Sequence, residues 1–160
     1  MNALLLTSGG LITARVMSAW LSAGNRIAAI WIGRRHKRLR PDPAPKLLFP
    51  SWSVASLTRR HRIPIRQNPD LAHWTGAENE IRRLGANVLI VLATYQIVPE
   101  TVIALFGGRA VNFHASLLPH YRGRRPLQTM ILDGKGEIHG GITVHRLSRE
   151  IDQGGIIAFR

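Results

Sequence analysis

Three polar residues in the second half of the chain have the side-chain types that acyl-group chemistry needs. Asn112 and His114 lie two positions apart in an apolar segment, and Asp152 lies in a glycine-containing turn further along. An amide N–H can stabilise a developing oxyanion, and an imidazole, with an ordinary pKa of about 6.5, can act as a general acid or base. A carboxylate can orient such a histidine and stabilise its protonated form. Each residue taken singly is more often structural, so the pattern favours catalysis only if the fold brings all three together.

The predicted secondary structure places these residues at one edge of a parallel sheet. Unbroken apolar runs are typical of strands buried on both faces, and strand and helix alternate as far as residue 132. The predicted strands are Ala3–Thr7, Ile27–Ile32, Ile63–Ile65, Asn87–Ala93, Ala110–His114, Ile138–Leu147 and Gly155–Phe159; the predicted helices are Leu11–Ala23, Ser51–His61, Ala77–Leu84, Pro99–Phe106 and Pro126–Leu132. Alternate side chains of a strand share a face, so Asn112 and His114 point the same way. They lie at the carboxyl end of their strand, where open α/β sheets bind ligands.

Length and composition narrow the class of protein. The 160 residues, 45% of them apolar, predict one globular domain over residues 1–160. The absence of cysteine excludes disulfides, thiolate metal ligands and a cysteine nucleophile. The apolar runs predict neither a signal peptide nor a membrane span, which fits a cytoplasmic location. The chain stops within the last predicted strand, so we expect it to be truncated at the C-terminus relative to a longer protein.

A net charge of +13 favours acidic partners such as phosphates, nucleotides or RNA, although solubility explains the charge equally well. Gly33–Pro50 is predicted to be a loop, and its basic part is Arg34–Arg40. Ser8, Gly9 and Gly10 connect the first strand to the first helix, where an anion can bind the helix N-terminus. A tight turn would also need these glycines. The dinucleotide and P-loop motifs are absent.

Five motifs in order resemble the folate-dependent formyltransferase family, whose members formylate glycinamide ribonucleotide, methionyl-tRNA or sugar amines. The motifs are N-x-H at 112–114, S-L-L-P at 116–119, Y-R-G-x-x-P at 121–126, G-I-T-V-H at 141–145 and D-x-G at 152–154. The resemblance implies the formyltransferase fold, a Rossmann-like, mostly parallel sheet with helices on both faces. It also implies transfer of a formyl group from 10-formyltetrahydrofolate to a primary amine, without a metal. Asn112 would hold the formyl oxygen, His114 would stabilise its charge and move protons, and Asp152 would position His114.

The resemblance further implies two binding regions. The pterin ring is expected against the loop after the Asn87–Ala93 strand, largely through backbone groups, with Gln153 and Gly154 closing its other side. The loop consists of Leu92, Ala93, Thr94, Tyr95, Gln96, Ile97 and Val98. Relatives commonly carry glycine or another residue where Tyr95 and Gln96 stand. Contacts to the acceptor are expected at Ser8, Gly9, Gly10, Ser116, Arg122 and Arg124.

The identity of the acceptor is the open question. Arg122–Leu127 is most similar to the enzymes that formylate amino sugar nucleotides, whereas methionyl-tRNA enzymes usually have small residues at 124 and 125. We therefore expect a small, phosphorylated amine and no membrane partner. Methionyl-tRNA is the alternative, because Arg34–Arg40 lies where the tRNA enzymes carry a basic insertion. A hydrolase that releases formate and a non-catalytic polyanion-binding module are further interpretations. The complete Asn–His–Asp set argues against the module.

Overall fold

A computed structural model of the protein describes residues 1–33, 53–67 and 69–160. In these ranges seven strands form one sheet, in the order β3-β2-β1-β4-β5-β6-β7. The strands are β1 (Asn2–Thr7), β2 (Arg26–Ile32), β3 (Ile65–Gln67), β4 (Val88–Leu92), β5 (Ala110–His114), β6 (Thr143–Arg146) and β7 (Ile156–Phe159). The helices are α1 (Leu11–Ser22), α2 (Val54–Arg60), α3 (Ala77–Leu84), α4 (Glu100–Ala104), α5 (Pro126–Leu132) and α6 (Gly136–His139).

The sheet is mostly parallel, which confirms the predicted fold class. Strands β1 to β5 pair in parallel, whereas β6 is antiparallel to both β5 and β7. The helices cover both faces of the parallel part. On one face α1 and α2 pack against the sheet through residues such as Met17 and Leu57; on the other, α3 and α4 pack through Ile81 and Val102. No helix in the described part of the chain is long and apolar enough to cross a membrane.

Three predicted elements are wrong in their bounds. The long strand predicted over Ile138–Leu147 is instead helix α6 followed by the short strand β6, because the Gly140 N–H continues the helical hydrogen bonding to the Gly136 carbonyl at 2.9 Å. Strand β3 starts at Ile65 rather than Ile63, after Pro64, which has no N–H to donate. Helix α2 starts after Ser53, whose side chain accepts from the Ser56 N–H and caps it.

The remainder of the predicted Gly33–Pro50 loop, with its basic part Arg34–Arg40, lies outside the described residues, as do positions 51 and 52. The strand order reverses between β1 and β4, which are neighbours although two strands separate them in the chain. Just beyond their carboxyl ends the Ser8 N–H donates to the Ala93 carbonyl at 3.1 Å. Such a switch point opens a crevice that binds ligands in α/β sheets. The predicted Ser8–Gly10 turn and the loop after β4 therefore flank the same crevice.

Candidate active site

The structure brings the three predicted catalytic residues together. Strand β5 carries Asn112 and His114, and Asp152 reaches both from the turn between β6 and β7. The Asn112 Nδ2 atom lies 3.3 Å from Asp152 Oδ1, and His114 Nδ1 lies 3.5 Å from Asp152 Oδ2. The side chains of His114 and Asp152 are 5% and 8% exposed. The carboxylate thus contacts the amide and the imidazole at once, in a site largely shielded from water.

Hydrogen bonding fixes the orientation of the His114 ring. Its Nε2 atom lies 2.8 Å from the carbonyl oxygen of Tyr121, which can only accept, so Nε2 carries a hydrogen. The other nitrogen, Nδ1, faces Asp152. Only the imidazolium form of His114 has an N–H on both nitrogens and can donate to both oxygens. The site therefore places one imidazole nitrogen of His114 against the Asp152 carboxylate.

His145 is a fourth member of the site. It lies opposite Asn112 in the β5–β6 register and is fully buried. Its Nδ1 lies 2.9 Å from the carbonyl oxygen of Arg146, and its Nε2 lies 3.1 Å from Asn112 Nδ2 and 3.4 Å from Asp152 Oδ1. Nδ1 can donate to this carbonyl, and Nε2 lies between the Asn112 amide and the Asp152 carboxylate. His145 ends the G-I-T-V-H motif at 141–145, and the sequence alone predicts no role for it.

Asp152 is held in an unusual backbone conformation with several polar partners. Its φ is 54°, in the left-handed region, and its Oδ2 accepts from the Gly123 N–H at 2.8 Å. Burial acts to raise the pKa of Asp152. The contact with His145, the Gly123 amide and the charges of His114 and His145 together outweigh burial, so the pKa of Asp152 falls below its usual value. Asp152 is therefore ionised at neutral pH.

A buried threonine fixes the loop that follows β5. Thr143 Oγ1 donates to the Ser116 carbonyl at 2.7 Å and accepts from the Leu118 N–H at 3.0 Å. The Ser116 hydroxyl donates to the His120 carbonyl at 2.8 Å and is itself fully buried. Ser116 therefore stabilises the loop after β5 from within, and it has no exposed surface for the predicted contact with an acceptor.

The predicted donor-binding loop lies beside this site. The side chains of Leu92 and Val98 are buried in the apolar clusters on opposite faces of the sheet, while Tyr95 and Ile97 are exposed. Within the described residues, the backbone groups of Tyr95 and Ile97 have no hydrogen-bond partner. The loop therefore presents free backbone donors and acceptors, as the predicted binding of a pterin ring through backbone groups requires.

The other residues predicted near the pterin have structural contacts of their own. The Thr94 hydroxyl accepts from the Gln96 N–H at 3.2 Å, and the Gln96 side chain donates to the Pro69 carbonyl. Gln153 is exposed, and Gly154 packs so closely that a Cβ there would lie 1.8 Å from the carbonyl oxygen of Arg146. A side chain at position 154 would therefore displace the turn that carries Asp152.

A cationic cavity of ≈ 490 Å³ opens beside the loop that holds His114; its walls are Tyr95, Tyr121, Arg122, Arg124, Arg125, Pro126 and Thr129. Arg122 and Arg124 were predicted to contact the acceptor, and Arg125 joins them. Within the residues that the structure describes, none of these three guanidinium groups makes an ion pair or a side-chain hydrogen bond. Ser8, Gly9 and Gly10 do not line this cavity. We refer to Arg122, Arg124, Arg125 and Tyr95 as the arginine cavity.

The fold and the site define an α/β protein with an amide–imidazole–carboxylate network at the carboxyl edge of its sheet. Residues 44–160 match the formyl transferase family, and the chain therefore belongs to that family. A methionyl-tRNA formyltransferase from Buchnera aphidicola is 34% identical over 112 residues, which are 70% of this chain and 34% of that protein. One from Geobacter sulfurreducens is 34% identical over 121 residues, 76% of this chain and 37% of that protein. The chain thus spans about a third of the length of these curated relatives.

Solved structures share the fold at lower sequence identity. A phosphoribosylglycinamide formyltransferase from Bacillus halodurans is 20% identical with a TM-score of 0.74, over 100% of this chain and 78% of that one. A formyltetrahydrofolate deformylase from Pseudomonas syringae is 22% identical with a TM-score of 0.72, over 99% of this chain and 49% of that one. At this identity the likeness establishes the architecture only.

Proposed function

We propose that the protein transfers a formyl group from 10-formyltetrahydrofolate to a primary amine. The observation that carries the proposal is the network of Asn112, His114 and Asp152, buried at the edge of the sheet where a ligand crevice opens. Membership of the formyl transferase family supports the same reaction class. A network that only stabilised the fold would not need a carboxylate and two imidazoles next to a loop whose backbone groups have no partner in the described residues.

The residues of the network have distinct roles in this proposal. The donor supplies an activated formyl carbon. When the donor binds, one Asn112 Nδ2–H exchanges its contact with Asp152 for the formyl oxygen, and one such donor is typically worth about 10²–10³ in rate. The His114 imidazolium stabilises the same oxygen through the N–H that faces Asp152 in the free protein. The amine nitrogen bonds to the formyl carbon and Asp152 takes up the proton that the amine releases. That proton passes to N10 of the folate as the bond between N10 and the formyl carbon breaks, so that tetrahydrofolate leaves; such acid–base help adds about 10²–10⁴.

The described residues fit the folate donor. The loop from Leu92 to Val98 offers backbone N–H and C=O groups without partners in the described ranges, next to the exposed Ile97. A planar ring with amide and amine edges needs both donors and acceptors, and an apolar neighbour for its face. In the proposed complex this loop holds the ring on one side, and the turn of Gln153 and Gly154 closes the other.

For the acceptor we propose an amino sugar nucleotide. The arginine cavity supports this choice, because its three guanidinium groups pair with no carboxylate of the described residues and suit phosphate oxygens. Methionyl-tRNA is the second candidate, and the curated relatives named as methionyl-tRNA formyltransferases favour it. The two acceptors differ in salt dependence: each neutralised phosphate contributes roughly 0.7–0.9 to the log–log slope, so tRNA gives a steep slope and a diphosphate a shallow one. Neutralising Arg34–Arg40 changes affinity for tRNA only if that segment contacts it.

A hydrolase that releases formate uses the same residues with water as acceptor, and the deformylase from Pseudomonas syringae shares the fold. The decisive experiment incubates the protein with 10-formyltetrahydrofolate, with and without amine acceptors. Formylated amine formed in step with tetrahydrofolate supports transfer, whereas equal formate release without amine supports the hydrolase. Titration calorimetry with a stable folate analogue tests donor binding separately. Absence of both heat and turnover would refute the proposed function and favour a binding module.

A further inference from the structure

Tyr95 belongs to the predicted donor-binding loop, but its ring faces the acceptor side. Of the loop residues Leu92–Val98, Tyr95 alone lines the arginine cavity. The guanidinium carbon of Arg124 lies 5.7 Å from the centroid of its ring. Tyr95 is 57% exposed, so part of its ring is accessible to a ligand. The tyrosine therefore stands where the donor and acceptor regions meet.

The chemistry of the cavity combines two features that rarely serve one simple ligand. A bare phosphate would need the guanidinium groups of Arg122, Arg124 and Arg125 but not an open aromatic ring. An apolar ligand would pack against Tyr95, but it would bury three guanidinium groups without a partner, which costs binding free energy. A nucleotide uses both, because its phosphates bind guanidinium groups and its base stacks on an aromatic ring.

The gap between Tyr95 and Arg124 must widen before a flat ring can insert between them. Two layers in van der Waals contact need about 3.5 Å each, or about 7 Å from Tyr95 to Arg124. The observed 5.7 Å is short of this by about 1.3 Å. Arg124 is exposed and has no other partner in the described residues, so its side chain can move that far without breaking a bond. A base would then lie between an aromatic ring and a guanidinium plane.

We propose that Tyr95 is a specificity-determining residue for the acceptor, which stacks the base of a nucleotide whose phosphates bind the arginine cavity. This inference rests on the proposed function, because it concerns the acceptor side of the same site. It reassigns Tyr95 from the pterin to the acceptor. It predicts that nucleoside diphosphates bind the protein in the absence of folate.

Binding to the free protein tests the inference. ADP, UDP and pyrophosphate are titrated by calorimetry into the wild type, Tyr95→Phe, Tyr95→Ala and Arg124→Gln. Arg60→Gln is the matched charge control, because Arg60 is exposed on α2 and does not line the cavity. Tyr95→Phe should bind nucleotides like the wild type. Tyr95→Ala should bind them about 5- to 150-fold more weakly, the range that one lost stacking contact gives. Its affinity for pyrophosphate should stay unchanged. Arg124→Gln should weaken all three ligands, and Arg60→Gln none.

Several outcomes would overturn the inference. The first is that nucleoside diphosphates bind no more tightly than pyrophosphate. The second is that Tyr95→Ala weakens the binding of pyrophosphate as much as that of nucleotides. The third is that tRNA binds with a steep salt slope while ADP and UDP do not bind. Far-UV circular dichroism establishes that each variant is folded. A folate analogue is titrated in parallel, which separates the two proposals. Loss of folate binding with nucleotide binding intact defeats the proposed function but leaves the nucleotide site standing. Loss of folate binding in Tyr95→Ala, with nucleotide binding unchanged, returns Tyr95 to the donor site.

Discussion

Replacing Asp152 by asparagine tests the network with the smallest change of shape. The aspartate accepts from the Gly123 N–H through Oδ2 and from the Asn112 amide through Oδ1. An asparagine has one oxygen and one NH₂ group in these places. Whichever way it is oriented, its NH₂ group faces an N–H donor of Gly123 or Asn112. The variant therefore loses one hydrogen bond, gains a donor–donor contact and removes the charge beside His114.

The structure sets the size and the pH dependence of the effect. A hydrogen bond to a charged group contributes about 1.5–3 kcal/mol, so we expect Asp152→Asn to lower the free energy of unfolding by about that amount at pH 7. The folded pKa of Asp152 lies below its ordinary value of 3.8. Its stabilising contribution is therefore fully present above pH 3.8 and is lost as the pH falls through the folded pKa. The difference between the two proteins should stay level from neutral pH down to about pH 5 and shrink below that ordinary value.

Urea unfolding at pH 7, 5 and 3 measures this difference, and a formyl-transfer assay measures activity, which should fall by about 10²–10⁴. Asp70→Asn is the matched control. It makes the same chemical change at an exposed aspartate that pairs with His73 on the surface. We expect it to leave formyl transfer unchanged. The reasoning is refuted if Asp152→Asn unfolds with the wild-type free energy at pH 7 and keeps the wild-type rate of transfer.

Three further changes probe the elements that support the network. His145→Gln should lower kcat while changing KM less, because the Asn112 amide loses a fixed partner. An unchanged kcat would show that His145 does not position Asn112. Gly154→Ala should lower the free energy of unfolding by about 1–3 kcal/mol, because its Cβ would overlap a backbone carbonyl of β6. Gly155→Ala has open space and serves as its control. Equal melting temperatures for the two alanine variants would contradict this. Thr143→Val leaves the Leu118 N–H and the Ser116 carbonyl without their side-chain partner. It should lower the free energy of unfolding, measured in urea, by about 1–3 kcal/mol for each of these groups that stays unpaired. A variant as stable as the wild type would show that other groups replace these bonds.

Much of the fold follows from local sequence. Strands β1, β2, β4 and β5 are apolar runs with few alternatives, and the predicted ranges agree with the structure to within about two residues. The prediction for strand β6 is less accurate. The sequence favours one long strand from Ile138 to Leu147 that runs through Gly140 and Gly141, whereas in the structure this glycine pair separates α6 from β6. The alternation of side chains along a strand also predicts that Asn112 and His114 lie on one face of β5, and in the structure Asp152 contacts both.

The rest of the site depends on contacts between distant parts of the chain. The position of His145 opposite Asn112 depends on the register of two antiparallel strands, which no short pattern specifies. Ser116 has the residue type of a ligand contact, and only its complete burial shows that it holds the loop instead. The direction of Tyr95 toward the arginine cavity likewise depends on how two loops meet. The sequence therefore predicted which residues belong together, and tertiary packing decided which neighbours contact them.

The loop from Tyr121 to Arg125 supports the catalytic residues with its main chain. His114 bonds to the carbonyl oxygen of Tyr121, and Asp152 accepts from the amide of Gly123. The side chains of Arg122, Arg124 and Arg125 take no part in these bonds and point into the cavity. Side chains here can thus be exchanged while the reacting groups stay aligned. Under the proposed function, a protein engineer who wants a different amine to be formylated can randomise these three positions together and leave the Asn112–His114–Asp152 network unchanged.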